Sequence, residues 1–322
     1  MKNFDSKFLD LPDYIIKITK EIWEDRSLHT LHKYYGEDII VRVPATLIKG
    51  NVNVIASTMA TLSEFPDRTL LGEDVIWSGN DTDGYLSSHR IYSQATHLKD
   101  GVFGKATGKK LGFRIIADCY CINNQITDEW MIRDQGAVVF QLGLDPKTYA
   151  YQQIQDEGGI DQATKPFNAS MDIVGPYTGK GNENSIGQSY ADTLQRLMNA
   201  DFNAIFSLFD RAVQTEYPNG VSDHGHQSVD AFWLGLRSSF PNAEFTIHHV
   251  IGRDDKGMAD RAAIRWSLAG KHEGWGRYGQ PTNAEVYIMG ISHVEFGPRG
   301  ITREFVTIDD TAIWKQILLH TG

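Results

Sequence analysis

Cysteine is almost missing from this chain. Cys119 and Cys121 are the only two, and they lie in one stretch of apparent strand. A strand turns successive side chains to opposite faces, so both thiols face the same way. Same-face neighbours are poorly placed for a disulfide, which needs Cβ atoms about 3.8 Å apart. They read as small buried apolar residues in a reducing compartment, and the expected location is the cytoplasm. No stretch approaches about eighteen continuous apolar residues, so no membrane span is expected. The N-terminal MKNFDSKFLDLPDY mixes acids with apolar residues and lacks the features of a signal peptide. Positive charge is in deficit: 31 Lys and Arg face 41 Asp and Glu, a net charge of -10, with no basic block. That balance argues against nucleic acid or an anionic membrane as the main partner. There is no HExxH, no Cys/His cluster at metal spacing and no catalytic-triad order. The glycine-rich Gly101–Lys109 and Gly274–Gly279 lack the phosphate-loop spacing and join strands instead of opening a helix. A metal at His224 and His226 is the one ligand pairing the sequence leaves open.

What is present is a duplication. Arg90 to His97 reads RIYSQATH, and Arg265 to His272, 175 positions on, reads RWSLAGKH. The same offset matches Gly50 to Gly225, Phe65-Pro66 to Phe240-Pro241, Thr107 to Thr282, Ile126-Thr127 to Ile301-Thr302, Glu129 to Glu304 and Asp134 to Asp309. The register reads as unbroken from about residue 20 to residue 134. A period this long is a domain duplication and not a solenoid, and each copy is long enough to bury a core. The expected organisation is a first domain over 1–145, a linker or strap over 146–188 and a second domain over 189–322. In each copy the periodicity predicts a helix (Asp13–Tyr35, Tyr190 to about Thr215) and then a shorter one that ends at a proline (Val52–Phe65, Gln227–Phe240). Four strands follow: Leu70–Trp77, Leu86–Leu98, Lys110–Ile122 and Ile126–Val139 in copy one. Short turns imply antiparallel pairing, and helices followed by a meander imply an α+β domain. Pro146–Asp156 reads as a short helix within the strap.

The acid/base candidates sit on two strands. His89 and His97 share the expected inward face of copy one, where copy two has Ile264 and His272. An imidazole can move a proton in either direction near neutrality. On the last strand Asp128, Trp130, Ile132 and Asp134 share a face, as do Arg303, Phe305, Thr307 and Asp309. The aromatic members mark that face as inward and put Asp134 and Asp309 at the edge of the interior. Desolvation would raise their pKa, which suits a general base. Each of these histidines and aspartates also has a structural reading, as a hydrogen-bonded core residue or a turn cap. Glu129 and Glu304 fall on the other face with Arg90 and Arg265, where a cross-strand ion pair accounts for all four.

Each half resembles the SnoaL-like polyketide cyclase family of the NTF2-like superfamily, over roughly 14–142 and 190–319. The resemblance rests on RIYSQATH and RWSLAGKH, on the hairpins GKATGKK and GQPTNAE, on the endings ITDEWMIRD and ITREFVTID, and on Gln141–Gly143. Copy one has Ala106 where the family has proline, and copy two has Asn283 where it has glycine. The resemblance implies tandem cone domains, each a curved antiparallel sheet wrapped by N-terminal helices. It implies acid/base chemistry at Asp134 or Asp309, helped by His97 or His272, with no cofactor and no metal. Copy one is expected to hold the more polar pocket, with Trp77, Tyr92, Tyr120 and Trp130 beside it. Trp266 and Phe305 are expected to fill much of copy two. The implied function is a cyclase, isomerase or lyase acting on a small apolar or polyketide-like molecule. A non-catalytic binding module and a structural or interaction protein remain the alternatives. The halves are expected to pair as an intrachain pseudo-dimer, and a homodimer of whole chains stays open.

Overall fold

The computed structural model describes residues 1–322. Its first half runs α1 (Leu11–Trp23), α2 (Leu31–Tyr34), β1 (Tyr35–Val43), β2 (Thr46–Lys49), α3 (Asn51–Glu64), β3 (Thr69–Asn80), β4 (Gly84–Thr96), β5 (Lys110–Ile122), β6 (Gln125–Arg133) and α4 (Gln135–Leu142). The connector carries α5 (Pro146–Asp156). The second half repeats the order as α6 (Ser185–Met198), α7 (Ile205–Leu208), β7 (Phe209–Tyr217), β8 (Val221–His224), α8 (His226–Ser239), β9 (Glu244–Arg253), β10 (Arg261–Lys271), β11 (Glu285–Gly297), β12 (Gly300–Thr307) and α9 (Asp310–Thr321).

The result is an α+β molecule with two six-stranded sheets, ordered β2-β1-β6-β5-β4-β3 and β8-β7-β12-β11-β10-β9. Helix α1 starts cleanly: the Asp10 side chain accepts from Asp13 N, and Pro12 sits in the first turn, where a missing N–H costs nothing. Its apolar stripe Leu11, Ile15, Ile18 and Ile22 is buried against the first sheet. The other face of that sheet packs on the second sheet. Ile116 and Ile132 meet Met289 and Ile291 there, while Ile76 and Leu86 meet Ile251 and Ala263.

Three expectations are corrected. The sheets are mixed: β1 pairs parallel with β6, and β7 with β12. Neither sheet is closed or strongly curled, so the curved antiparallel cone is not what this chain builds. Each sheet instead takes helices on one face and its sister sheet on the other. Second, the helix expected from Tyr190 to about Thr215 ends at Met198, Phe209–Tyr217 is strand β7, and the hairpins β1–β2 and β7–β8 join the sheets through long-range pairing to β6 and β12, which leaves no local signature. Third, the last strand stops at Arg133 and not at Val139; Asp134 caps α4.

The repeat also slips by one. Strands β1 and β7 are offset by 174 positions, whereas β2 and β8 are offset by 175. The extra residue lies in the β7–β8 turn, where Asn219 and Gly220 both have positive φ (74° and 70°).

The connector is a strap across both halves. Helix α5 packs on α9, with Lys315 Nζ 2.8 Å from Glu157. Phe167 N donates to Pro44 O, and Asp172 pairs with Arg42 at 2.5 Å. Later in the strap, Asn182 bonds to β9 through Gly252.

Candidate functional site

An internal cavity of about 120 Å³ lies in the first half between α1, α3 and the sheet. Its walls are mostly aliphatic, from Ile18, Ile22, Val54, Ile91 and Met131 among others. Two arginines, a histidine and a carboxyl face it, Arg68, Arg133, His89 and Glu129, with the hydroxyls of Thr19, Tyr35, Ser57, Thr58 and Thr61 also in the lining. Alternation along β4 brings His89 and Ile91 to the cavity. Alternation along β6 brings Glu129, Met131 and Arg133 there.

Glu129 is the residue that sequence reasoning placed on the wrong face. Trp130, Ile132 and Phe305 were taken to mark the interior, but they mark the contact between the two sheets. Arg265 stacks on Trp130 at 3.7 Å and Arg90 on Phe305 at 3.6 Å. The signal that could have found Glu129 was its repetition as Glu304 next to a hydrophobic strand face. Arg90 pairs with Glu73 (3.2 Å) and Glu295 (3.4 Å), so the expected Arg90–Glu129 cross-strand pair does not form.

Burial pushes the Glu129 carboxyl up to about 7, partly offset by a hydrogen bond with Tyr35. His89 is buried and its Nε2 has no partner. Desolvation, and then the charge of Arg90, lower His89 to about 3, so it is a neutral imidazole at neutral pH. Arg68 donates from Nε to Ser93 Oγ (2.9 Å), but its Nη1 is buried and unpartnered. Arg133 Nε is likewise shielded and unpartnered.

The other candidates lie elsewhere. His97 holds the hairpin that follows β4. Its Nδ1 is 3.2 Å from Thr107 Oγ1 and its Nε2 is 3.2 Å from Glu64 Oε1. Glu64 also accepts from Val102 N and Phe103 N. His272 repeats the Thr contact with Thr282 at 3.1 Å. Asp134 accepts from Ala137 N (3.0 Å), Asn219 N (2.9 Å) and Gly220 N (2.9 Å), which ties α4 to the β7–β8 turn of the other half. Burial still raises it to about 7. It borders a polar cleft between the halves, beside Tyr92 and Arg114, and not the apolar cavity. Asp309 caps α9 through Thr311 and Ala312, and burial raises it to about 6. The structure therefore does not bring Asp134 together with His97.

None of the four aromatics expected beside the first-half pocket, Trp77, Tyr92, Tyr120 and Trp130, lines its cavity. Trp77 packs on Tyr85 and under Arg253. Tyr120 packs on the strap's Tyr177. Tyr92 lies in the polar cleft, and Trp130 and Phe305 lie between the sheets. Trp266 belongs to the second-half core, where it packs against Trp233 and donates to Ser292 Oγ at 2.9 Å.

The second half shows what the first would be without a cavity. Trp266 and Trp233 stand at the positions of Ile91 and Thr58, both cavity-lining in the first half. Glu304, the counterpart of Glu129, is fully engaged by Tyr190 (2.8 Å), Trp233 (3.2 Å) and the Tyr217 hydroxyl. No three His, Cys, Asp or Glu side chains stand together as a metal-holding group, and His226 bonds to Phe209 O. No helix is long and apolar enough to cross a membrane.

Residues 190–303 match the family model of the SnoaL-like domain. A search of curated proteins finds no match. Among solved structures, IdmH from Streptomyces antibioticus is 20% identical, with a TM-score of 0.36, over 41% of this chain and 98% of its own. TsrD from Streptomyces laurentii is 15% identical, with a TM-score of 0.36, over 42% and 98%. A SnoaL-like polyketide cyclase from Agrobacterium tumefaciens is 18% identical, with a TM-score of 0.32, over 42% and 98%. A SnoaL-like domain is thus supported in the second half, within a molecule that carries two sheets of the same strand order.

Proposed function

We propose that this protein is a small-molecule enzyme that moves a proton within the first-half cavity, in a cyclase-, isomerase- or lyase-type reaction. One observation carries the reading: a carboxyl, Glu129, and an imidazole with a free Nε2, His89, face one mostly apolar cavity. Small-molecule sites have this composition, with apolar walls and a few convergent polar groups. A carboxyl held near 7 is poised to take or give a proton at neutral pH. In this reading Glu129 is the acid/base, and neutral His89 orients or polarises the reacting group. The cavity is on the order of the roughly 150 Å³ apolar cavity that admits benzene, which favours a compact substrate over a polyketide. Asp134 and His97 act as structural ties. The halves are domains 1–145 and 189–322, joined by the strap over 146–188, and they pair as an intrachain pseudo-dimer.

The test uses 1,2-benzisoxazole, a generic carbon acid whose base-promoted ring opening yields a phenolate that absorbs light. The wild-type protein is expected to accelerate ring opening, with a rate that rises through about pH 7 as Glu129 ionises. Glu129→Gln is expected to lose about 10²–10⁴-fold. Equal rates in the two proteins would defeat the reading. Acceleration by neither protein, with ligand still bound, would leave a non-catalytic binding module.

A further inference from the structure

Two guanidinium groups, those of Arg68 and Arg133, line the cavity, and neither pairs with its one carboxyl, Glu129. The only hydrogen bond from the Arg68 guanidinium goes to a neutral hydroxyl, Ser93 Oγ. Its Nη1 and the Nε of Arg133 are buried without a partner, as is His89 Nε2. Neither guanidinium has a carboxylate partner; Arg68 lies against Trp23 (4.5 Å) and Phe113 (5.6 Å) instead. After burial, the charge of Arg133 is the next largest influence on Arg68, so the two repel across the same space. An unpaired buried charge is costly, and orphaned N–H groups add to the cost.

The duplication supplies an internal control. At 175 positions on, Arg68, His89 and Arg133 become Ala243, Ile264 and Ile308, all buried in a filled core. Glu129 alone keeps its identity, as Glu304. The fold therefore does not need these three polar residues. They occur together only where there is a cavity to face.

We infer that the first-half cavity binds a small monocarboxylic acid with an apolar body, its carboxylate held by the guanidinium groups of Arg68 and Arg133 and by His89 Nε2. A guanidinium fork matches a carboxylate, and its hydrogen bonds to an anion are charge-assisted. The aliphatic walls suit a hydrocarbon or aryl body. This deepens the proposed function by naming the substrate class of the same site.

The experiment is calorimetric titration of the full-length protein with benzoate, hexanoate, benzamide and inorganic phosphate. Benzoate or hexanoate is expected to bind, and benzamide, with the shape of benzoate but no charge, at least tenfold more weakly. Arg68→Ala and Arg133→Ile, which install the second-half residues, are each expected to weaken the acid at least tenfold. Should Arg68→Ala fail to fold, Arg68→Lys keeps the charge without the fork and should still weaken binding. The inference is overturned if neither acid binds, if benzamide matches benzoate, if phosphate alone binds, or if the arginine variants bind as the wild type does. Glu129→Gln separates this inference from the catalytic reading. Retained acid binding with no turnover in either protein leaves the ligand class standing and removes the catalysis.

Discussion

Glu129 in β6 and Glu304 in β12 stand at equivalent positions, and their surroundings give them different work. Glu304 spends its oxygens on two tyrosines and a tryptophan. Glu129 faces a cavity, and burial lifts its pKa from 4.5 to about 7. A raised carboxyl pKa means that the folded state holds the proton more tightly than the unfolded one. The wild type therefore loses stability as pH rises from 4.5 to 7, and the loss is complete above 7. At 1.36 kcal/mol per unit, the penalty is of the order of 3 kcal/mol. Glu129→Gln should match the wild type near pH 4.5 and become more stable than it above pH 7. Melting curves taken from pH 4.5 to 8 check this; a constant gap between the two proteins would show that Glu129 does not titrate within the fold. The sequence showed that Glu129 recurs, but not where it points. Strand alternation gave the partition into two faces correctly. Choosing the inner face failed because the sheet-to-sheet contact is as aromatic as a core.

Among the elements, the β7–β8 turn departs from the repeat, and the departure has a use. The β1–β2 turn of the first half is one residue shorter than its counterpart. The added residue lets Asn219 and Gly220 present successive N–H groups to the Asp134 carboxylate, which also caps α4. Gly220 at φ 70° accepts this conformation without the strain a side chain would bring. Asp134→Ala removes a helix cap and strands two more N–H groups at the junction of the halves. The expected cost is about 2–4 kcal/mol, read as a lower urea midpoint. A loss under about 0.5 kcal/mol would mean that water replaces the carboxylate freely. The sequence singled out Asp134 because it recurs as Asp309, and both are caps. Recurrence at a strand-to-helix corner reports shared backbone geometry as readily as shared chemistry. Strands β3–β5 and helix α5 were legible, since their periodicity and flanking turns are local. The parallel strand β1 was not, since its partner β6 lies some ninety positions away.

For the molecule as a whole, the repeated arginines cross between the two sheets. Arg90 of β4 crosses to the other sheet, where it stacks on Phe305 and lies 3.3 Å from His293 Nδ1. Arg265 of β10 crosses back, stacks on Trp130 and pairs with Asp118 at 3.0 Å. Phe305 is the counterpart of Trp130, and His293 of Asp118, each 175 positions on. The contact is self-complementary: one patch meets its own copy, as in a two-fold dimer. The pairing is asymmetric: Arg265 faces the Asp118 carboxylate, whereas Arg90 faces the His293 imidazole and takes its carboxylates from Glu73 and Glu295. His293 is held neutral by burial and then by the Arg90 charge. The Asp118–Arg265 pair is buried on both sides, so removing one member should cost more than the pair itself contributes. Asp118→Ala leaves the buried Arg265 without its anion, at an expected loss of about 3–5 kcal/mol. Arg265→Met in the same chain removes the stranded charge and should recover most of that loss. The double variant would then be more stable than Asp118→Ala alone, and the two single effects would sum to well above the double's. Urea unfolding of the four proteins in the cycle measures this directly. Additive losses would mean that Asp118 and Arg265 are independent, and that apolar contacts such as Ile132 against Met289 and Ile291 hold the halves together on their own.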